Sequence, residues 1–153
     1  MQFDHEKLEV YKVSIEFVAW AADLVADFKG DHRNARDQLV RSSQSIPLNI
    51  AEGNGKRSPG DRRRFFEIAW GSAVESAATL DVLVCTKACE KERVESGKAL
   101  LVRIVSMLSR MTEPQPTSAR EDGTPYGGRV DYDYEHDYEQ EHEQEQDKGG
   151  SPL

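Results

Sequence analysis

The chain has 153 residues, 37% of them hydrophobic, which bounds it to one domain with room for a tail. No apolar run approaches the roughly 20 residues of a membrane span, and MQFDHEKLEVYK shows no basic stretch leading into an apolar one. Cys85 and Cys89 are too few for a disulfide framework, so a reducing, cytoplasmic setting is expected. The formal charge of −8 is unevenly held: residues 1–113 carry 17 basic and 17 acidic side chains, whereas residues 114–153 carry 3 and 11.

Four helical segments are predicted, in chain order. In the first, Leu8, Tyr11, Ile15, Val18, Ala22, Val25 and Phe28 recur at spacings of three and four, one face of a helix. Val13, Phe17, Trp20 and Leu24 make a second apolar stripe beside it, and Gly30 ends the segment. The second segment opens near Asn34, where Asn34 and Asp37 resemble a capping box, and its inner stripe is Leu39, Ser43, Ile46 and Ile50. Pro47 should kink this helix rather than end it, because the apolar period continues to Ile50; Gly53-Asn54-Gly55 stops it. The third opens at Ser58-Pro59-Gly60-Asp61, with Ser58 as N-cap and Pro59 at the first helical position. Its stripe is Phe65, Phe66, Ala69, Ala73, Ser76, Leu80, Leu83 and Val84; Ile68, Trp70 and Val82 fall outside it. The fourth spans about Glu92 to Met111, with Val94, Leu101, Ile104, Leu108 and Met111 on one face.

Helices of this length with short connections predict an all-α fold, an antiparallel up-down-up-down four-helix bundle over residues 1–112. Residues 113–153 have almost no aliphatic side chains and read as a disordered acidic tail, unable to bury enough surface to offset the entropy of ordering.

The most telling stretch is Arg41–Gly53, RSSQSIPLNIAEG, in which Ser42, Ser43, Ser45, Asn49 and Ala51 stand among apolar residues at helical spacing. That mixture predicts a helix packed closely on several sides. With Leu8 and Tyr11, Phe65-Phe66, Ile68-Ala69, Gly71-Ser72 and Glu75, it resembles the bacterial family encoded in 23S rRNA intervening sequences. That family is related to the accessory proteins of diversity-generating retroelements. The resemblance implies an antiparallel four-helix bundle assembled as a ring of five subunits, without established catalytic activity. It also implies nucleic acid, RNA or DNA, and a reverse transcriptase as partners of some relatives. The acidic tail and the neutral body depart from the family pattern.

Candidate sites follow from the charged and polar residues. Lys56, Arg57, Arg62, Arg63 and Arg64 form the densest basic cluster, at the start of the third helix, and are the candidate nucleic-acid-binding residues. Successive helix positions point about 100° apart, so Arg62, Arg63 and Arg64 cannot all face one ligand. Arg41, Ser45, Asn49, Glu52 and Glu75 read as a structural polar network, with Arg41 expected to pair with Glu75 or Glu52. Cys85 and Cys89 sit four apart and would share one side of the third helix, but two thiols do not close a metal site. The helical segments carry no Glu-x-x-His pair, so no di-iron centre, cofactor or catalytic residue is expected.

Two functions compete. One is a non-enzymatic, oligomeric interaction or scaffold protein that binds nucleic acid and a partner reverse transcriptase, away from membranes. The other is a small-molecule-binding or enzymatic bundle using buried polar residues. Without paired carboxylate–histidine sites, phosphate-binding glycine motifs or nucleophile–base pairs, the first is favoured. Surplus apolar surface on the first and third helices predicts self-association. The acidic tail is expected to keep the assembly soluble or to compete with nucleic acid for the basic cluster.

Overall fold

The computed structural model describes residues 1–28 and 30–114. The expectations placed on residues 115–153, the acidic tail among them, lie outside the described residues. Four helices carry the fold: α1 (Glu9–Val25), α2 (Arg33–Gly55), α3 (Pro59–Cys85) and α4 (Lys91–Thr112). Short 3-10 turns, Asp4–Lys7 and Gly30–His32, precede α1 and α2.

Local chemistry sets the helix ends. Ser58 caps α3 as its spacing predicts, its hydroxyl accepting the Asp61 backbone N–H at 3.4 Å with Pro59 in the first turn. The capping box expected at Asn34 and Asp37 does not form: α2 begins at Arg33, and His32 stands at its N-cap without a side-chain bond. The chain arrives there through Gly30 at φ 67, which hands it directly into the 3-10 turn and leaves Asn34 already inside the helix. Gly53-Asn54-Gly55 forms the last turn of α2 rather than its stop. At the end of α3, Ala88 N–H reaches Leu83 O at 2.9 Å and Lys87 N–H reaches Val84 O at 3.0 Å, a Schellman pair. Lys87 takes the left-handed position with φ 60, where a side chain is costly. This turn corrects the expectation for the cysteines: Cys85 is the last residue of α3 and Cys89 lies beyond the reversal, so they do not share a helix side.

Cross-helix contacts define the packing. Gln38 meets Glu75 at 3.0 Å, Ser42 meets Ser76 at 2.8 Å, Ser45 meets Ser72 at 2.8 Å and Asn54 meets Arg62 at 3.0 Å. Residue numbers rise on α2 as they fall on α3, so the two helices run in opposite directions. Trp70 with Ser109 and Asp81 with Lys98 order α3 against α4 in the same sense, and Glu9 with Arg103 places α1 beside α4. α1 also packs on α2, which closes a four-cornered bundle.

The core is continuous through all four helices, from Phe17 through Leu39, Ile46, Ile50, Phe66, Leu80 and Leu83 to Leu101, Ile104 and Leu108. The stripes expected on α2, α3 and α4 point inward, and Pro47 is buried within a helix that continues past it. On α1 both stripes reach the core: Val13, Phe17 and Leu24 of the second and Val25 and Phe28 of the first are buried, with Val10 and Ala21 beside them, while Ile15 and Ala22 of the first are exposed. The true core face includes Ser14, which hid its period; buried, Ser14 satisfies its hydroxyl on Tyr11 O at 2.6 Å. Helix α3 also departs from the expectation about membrane spans, having the length and mean hydropathy, 1.3, that would suffice for one. It is packed between α2 and α4 and carries Glu75 and Asp81.

Two backbone positions generate measurable predictions. A Cβ at Gly97 would overlap the Trp20 ring, so α4 accepts a mid-helix glycine in order to seat that indole. Gly97→Ala should destabilise the fold by roughly 1–3 kcal/mol in urea titrations, and Trp20→Leu in the same chain should recover part of the loss. A full loss in the double variant would mean that the Trp20 contact is not the cause. Lys87→Gly should act oppositely, raising stability by roughly 1 kcal/mol because glycine adopts that φ without strain.

Candidate nucleic-acid interface

The basic cluster lies at the α2–α3 connection, where α2 runs out at Gly55 and Ser58 starts α3. Its five residues flank this connection, but they are not equivalent. Lys56 pairs with Glu52 at 3.3 Å and lies over the Phe65 ring at 4.8 Å from its centroid. Arg62 donates to Asn54 Oδ1 at 3.0 Å and lies 5.4 Å from the centroid of Phe66. Arg63 donates from Nε to Glu67 at 2.8 Å. Arg57 and Arg64 are exposed and hold no side-chain partner among the described residues. Lys56 and Arg62 thus brace the corner, Arg63 is screened by its carboxylate, and Arg57 with Arg64 present charge to solvent. Exposed pairs such as Arg63–Glu67 are worth little, so a polyanion can compete for that guanidinium. The aromatic support from Phe65 and Phe66 was missed in the sequence reading, although the paired phenylalanines just after the arginines signal it.

The expected polar network is partly assembled. Ser45 shares a hydrogen bond with Ser72, and Asn49 Nδ2 donates to Ser45 O at 2.8 Å and to Ser45 Oγ at 3.0 Å. Glu75 accepts from Gln38, and Glu52 faces Lys56. The pairing expected for Arg41 does not form: Glu75 is held by Gln38 and Glu52 by Lys56. Arg41 instead borders a shallow open groove on the outer side of α2, with Asp37, Gln44 and Leu48. The buried serines Ser42, from the Arg41–Gly53 motif, and Ser76, from the inner stripe of the third helix, stood outside the expected network and form its innermost contact.

No group of three or more His, Cys, Asp or Glu side chains converges among the described residues. Burial pushes the Cys89 thiol above its usual range, which disfavours the reactive thiolate. The Asp4 carboxyl is held low by its hydrogen bond to Lys7, an exposed surface pair.

A four-helix bundle with a serine-lined α2–α3 seam and an aromatic-backed basic corner defines the class. The chain belongs to the 23S rRNA-intervening sequence protein family, whose match covers residues 6–110. A similar solved structure is a protein of unknown function from the S23 ribosomal protein family of Bacteroides thetaiotaomicron. It is 27% identical, with a TM-score of 0.63, over 69% of this chain and 99% of that one. No curated protein matches this chain.

The division of labour in the corner predicts an asymmetry. Arg57→Glu with Arg64→Glu should abolish retention of RNA or DNA at low salt and leave the fold intact. In the wild type, binding should weaken steeply with salt, each lost phosphate contact lowering the slope of log K against log salt by about 1. Arg62→Ala should instead lower stability, since its guanidinium bridges Asn54 and Phe66. Equal retention by the double variant and the wild type in a filter-binding assay would remove the corner from consideration.

Proposed function

We propose that this protein is a non-catalytic, self-associating scaffold whose α2–α3 corner docks nucleic-acid phosphates. The observation that carries the reading is apolar surface left over once the core is complete. Ile15, Leu48, Ile68, Trp70, Val74, Val82 and Val102 are all exposed, although a closed core already fills the bundle. Isolated exposed apolar residues need no explanation, but four of these lie on α3 alone. Ile68, Trp70 and Val82 are also the residues that the helical period leaves outside the inner stripe.

Self-association gives the corner its strength. One copy presents only Arg57 and Arg64 without partners, a weak site for a polyanion. Copies related by rotation repeat that pair around an axis and sum the potential. The family resemblance supplies the number five, and a reverse transcriptase as the protein partner. The small-molecule or enzymatic alternative is less supported, because the buried hydroxyls of Ser42, Ser72 and Ser76 are spent on one another and on helix carbonyls.

Light scattering on the full chain at micromolar concentration should give a multiple of 17.2 kDa, fivefold for the proposed ring. The purified assembly should also carry nucleic acid that raises its 260/280 nm absorbance ratio and is removed by high salt. A monomer would end the scaffold reading, and an assembly that never retains RNA or DNA would end its nucleic-acid half.

A further inference from the structure

We propose that the end of the bundle holding the α2–α3 corner takes single-stranded rather than duplex nucleic acid, with an unpaired base stacked on the exposed ring of Phe3. This rests on the reading of that corner as a phosphate site and names the form of nucleic acid it selects. The ring is open to solvent but held in place. Phe3 is 73% exposed, yet its ring stacks on His5 with centroids 5.6 Å apart and planes 15° from parallel. His5 in turn meets Tyr11 edge-on at 4.7 Å, and Tyr11 is packed against the core. The Phe3 backbone is fixed as well: its N–H donates to Glu6 Oε2 at 2.7 Å, and Glu6 N–H donates back to Phe3 O at 3.1 Å. A ring so placed keeps one face for a ligand and loses little freedom when a base lies on it.

Topology brings this ring to the basic corner. Counting back from the short α1–α2 connection, Val25 to Glu9 on α1 runs alongside Arg33 to Asn49 on α2. The 3-10 turn Asp4–Lys7, which packs on both α1 and α2, therefore comes level with the last turns of α2, where Lys56 and Arg57 follow. On the other side, Glu9 meets Arg103 of α4, and Arg110 stands about two helical turns further along, again level with the segment before α1. Arg110 is exposed and, like Arg57 and Arg64, has no side-chain partner among the described residues. Neighbouring helix axes lie about 8–10 Å apart, so the ring and these arginines fall within roughly 10–20 Å of one another. A few nucleotides bridge that distance, well inside the roughly 4–16 that single-strand sites span.

Charge alone does not make this end a strong anion site. Asp4 is paired with Lys7 and Glu6 accepts the Phe3 N–H, but Asp61 and Glu113 stand open against the three open arginines. A duplex keeps its bases stacked inside and would meet those few cations only. A single strand adds base stacking on an aromatic face, which every base can supply. The exposed ring, rather than the charge, therefore decides which form of nucleic acid gains most here.

The test is fluorescence anisotropy with the full chain at low salt, using an oligothymidylate of about ten nucleotides, the same strand made abasic, and a duplex of equal length. Wild type should bind the thymidine strand at least about fivefold tighter than either of the others. Phe3→Leu should weaken that binding by about fivefold to a hundredfold, the range of one lost base stack, and Phe3→Tyr, which keeps the ring, should not. The abasic strand should bind wild type and Phe3→Leu equally. Thymidine-strand binding unchanged by Phe3→Leu, or a duplex bound as tightly as the single strand, overturns the stacking site and leaves the phosphate corner standing. A wild type that binds none of the three probes overturns the corner itself, and this inference with it.

Discussion

The close approach of α2 and α3 governs the rest of this structure. Two serine pairs, Ser42–Ser76 and Ser45–Ser72, meet at 2.8 Å across the seam, and Gly53 lies directly against Phe65 and Phe66. Only short side chains let two backbones come so near, and each buried hydroxyl there must find a partner or cost about 1–3 kcal/mol. The pairs satisfy one another, and they do so only in one register. A slide of one turn would keep at most one such pair and set the other serine against Leu80 or Ile68. The register so chosen brings Asn54 to Arg62 and Lys56 to Phe65, which is what assembles the basic corner. The corner is therefore a consequence of the seam, between two and three turns along from the Ser45–Ser72 pair.

How much of this was legible depends on what each signal measures. Periodicity reports which positions share a helix side, so the inner stripes of α2, α3 and α4 could be read directly. On α1 it could not separate two adjacent stripes, because Ser14 interrupts the core face and both stripes contribute to it. Composition does not count a hydroxyl satisfied by Tyr11 O as a core residue. The cap at Ser58 was readable because serine, proline and aspartate act locally. The start of α2 was not, since Gly30 sets it from outside the helix through its backbone angle.

The candidate site divides along the same line. That five basic residues cluster is a fact of spacing, legible without coordinates. Which of them remain available is a matter of three-dimensional partners: Asn54, Glu67 and the two phenylalanine rings claim three, leaving Arg57 and Arg64. Arg41 illustrates the reverse case. Its expected carboxylates are held by Gln38 and Lys56, and Glu52 stands about three turns further along the same helix, so a side chain assigned to architecture ends on the surface.

The two surface features also occupy separate places, which bears on how they work together. The basic corner lies at the end of the bundle where α2 gives way to α3, whereas the apolar stripe of α3 runs along the flank. Association through flanks leaves the ends uncovered. Under cyclic symmetry every copy turns the same end to the same side of the assembly, so all the α2–α3 corners would share one rim. Arg57 and Arg64 alone are a poor match for a phosphate backbone, but repeated around a rim they form a belt of partnerless cations on neutral bodies. Such a belt would attract a polyanion through its arrangement rather than through net charge, which is how the proposed scaffold, with a formal charge of −8, would hold nucleic acid.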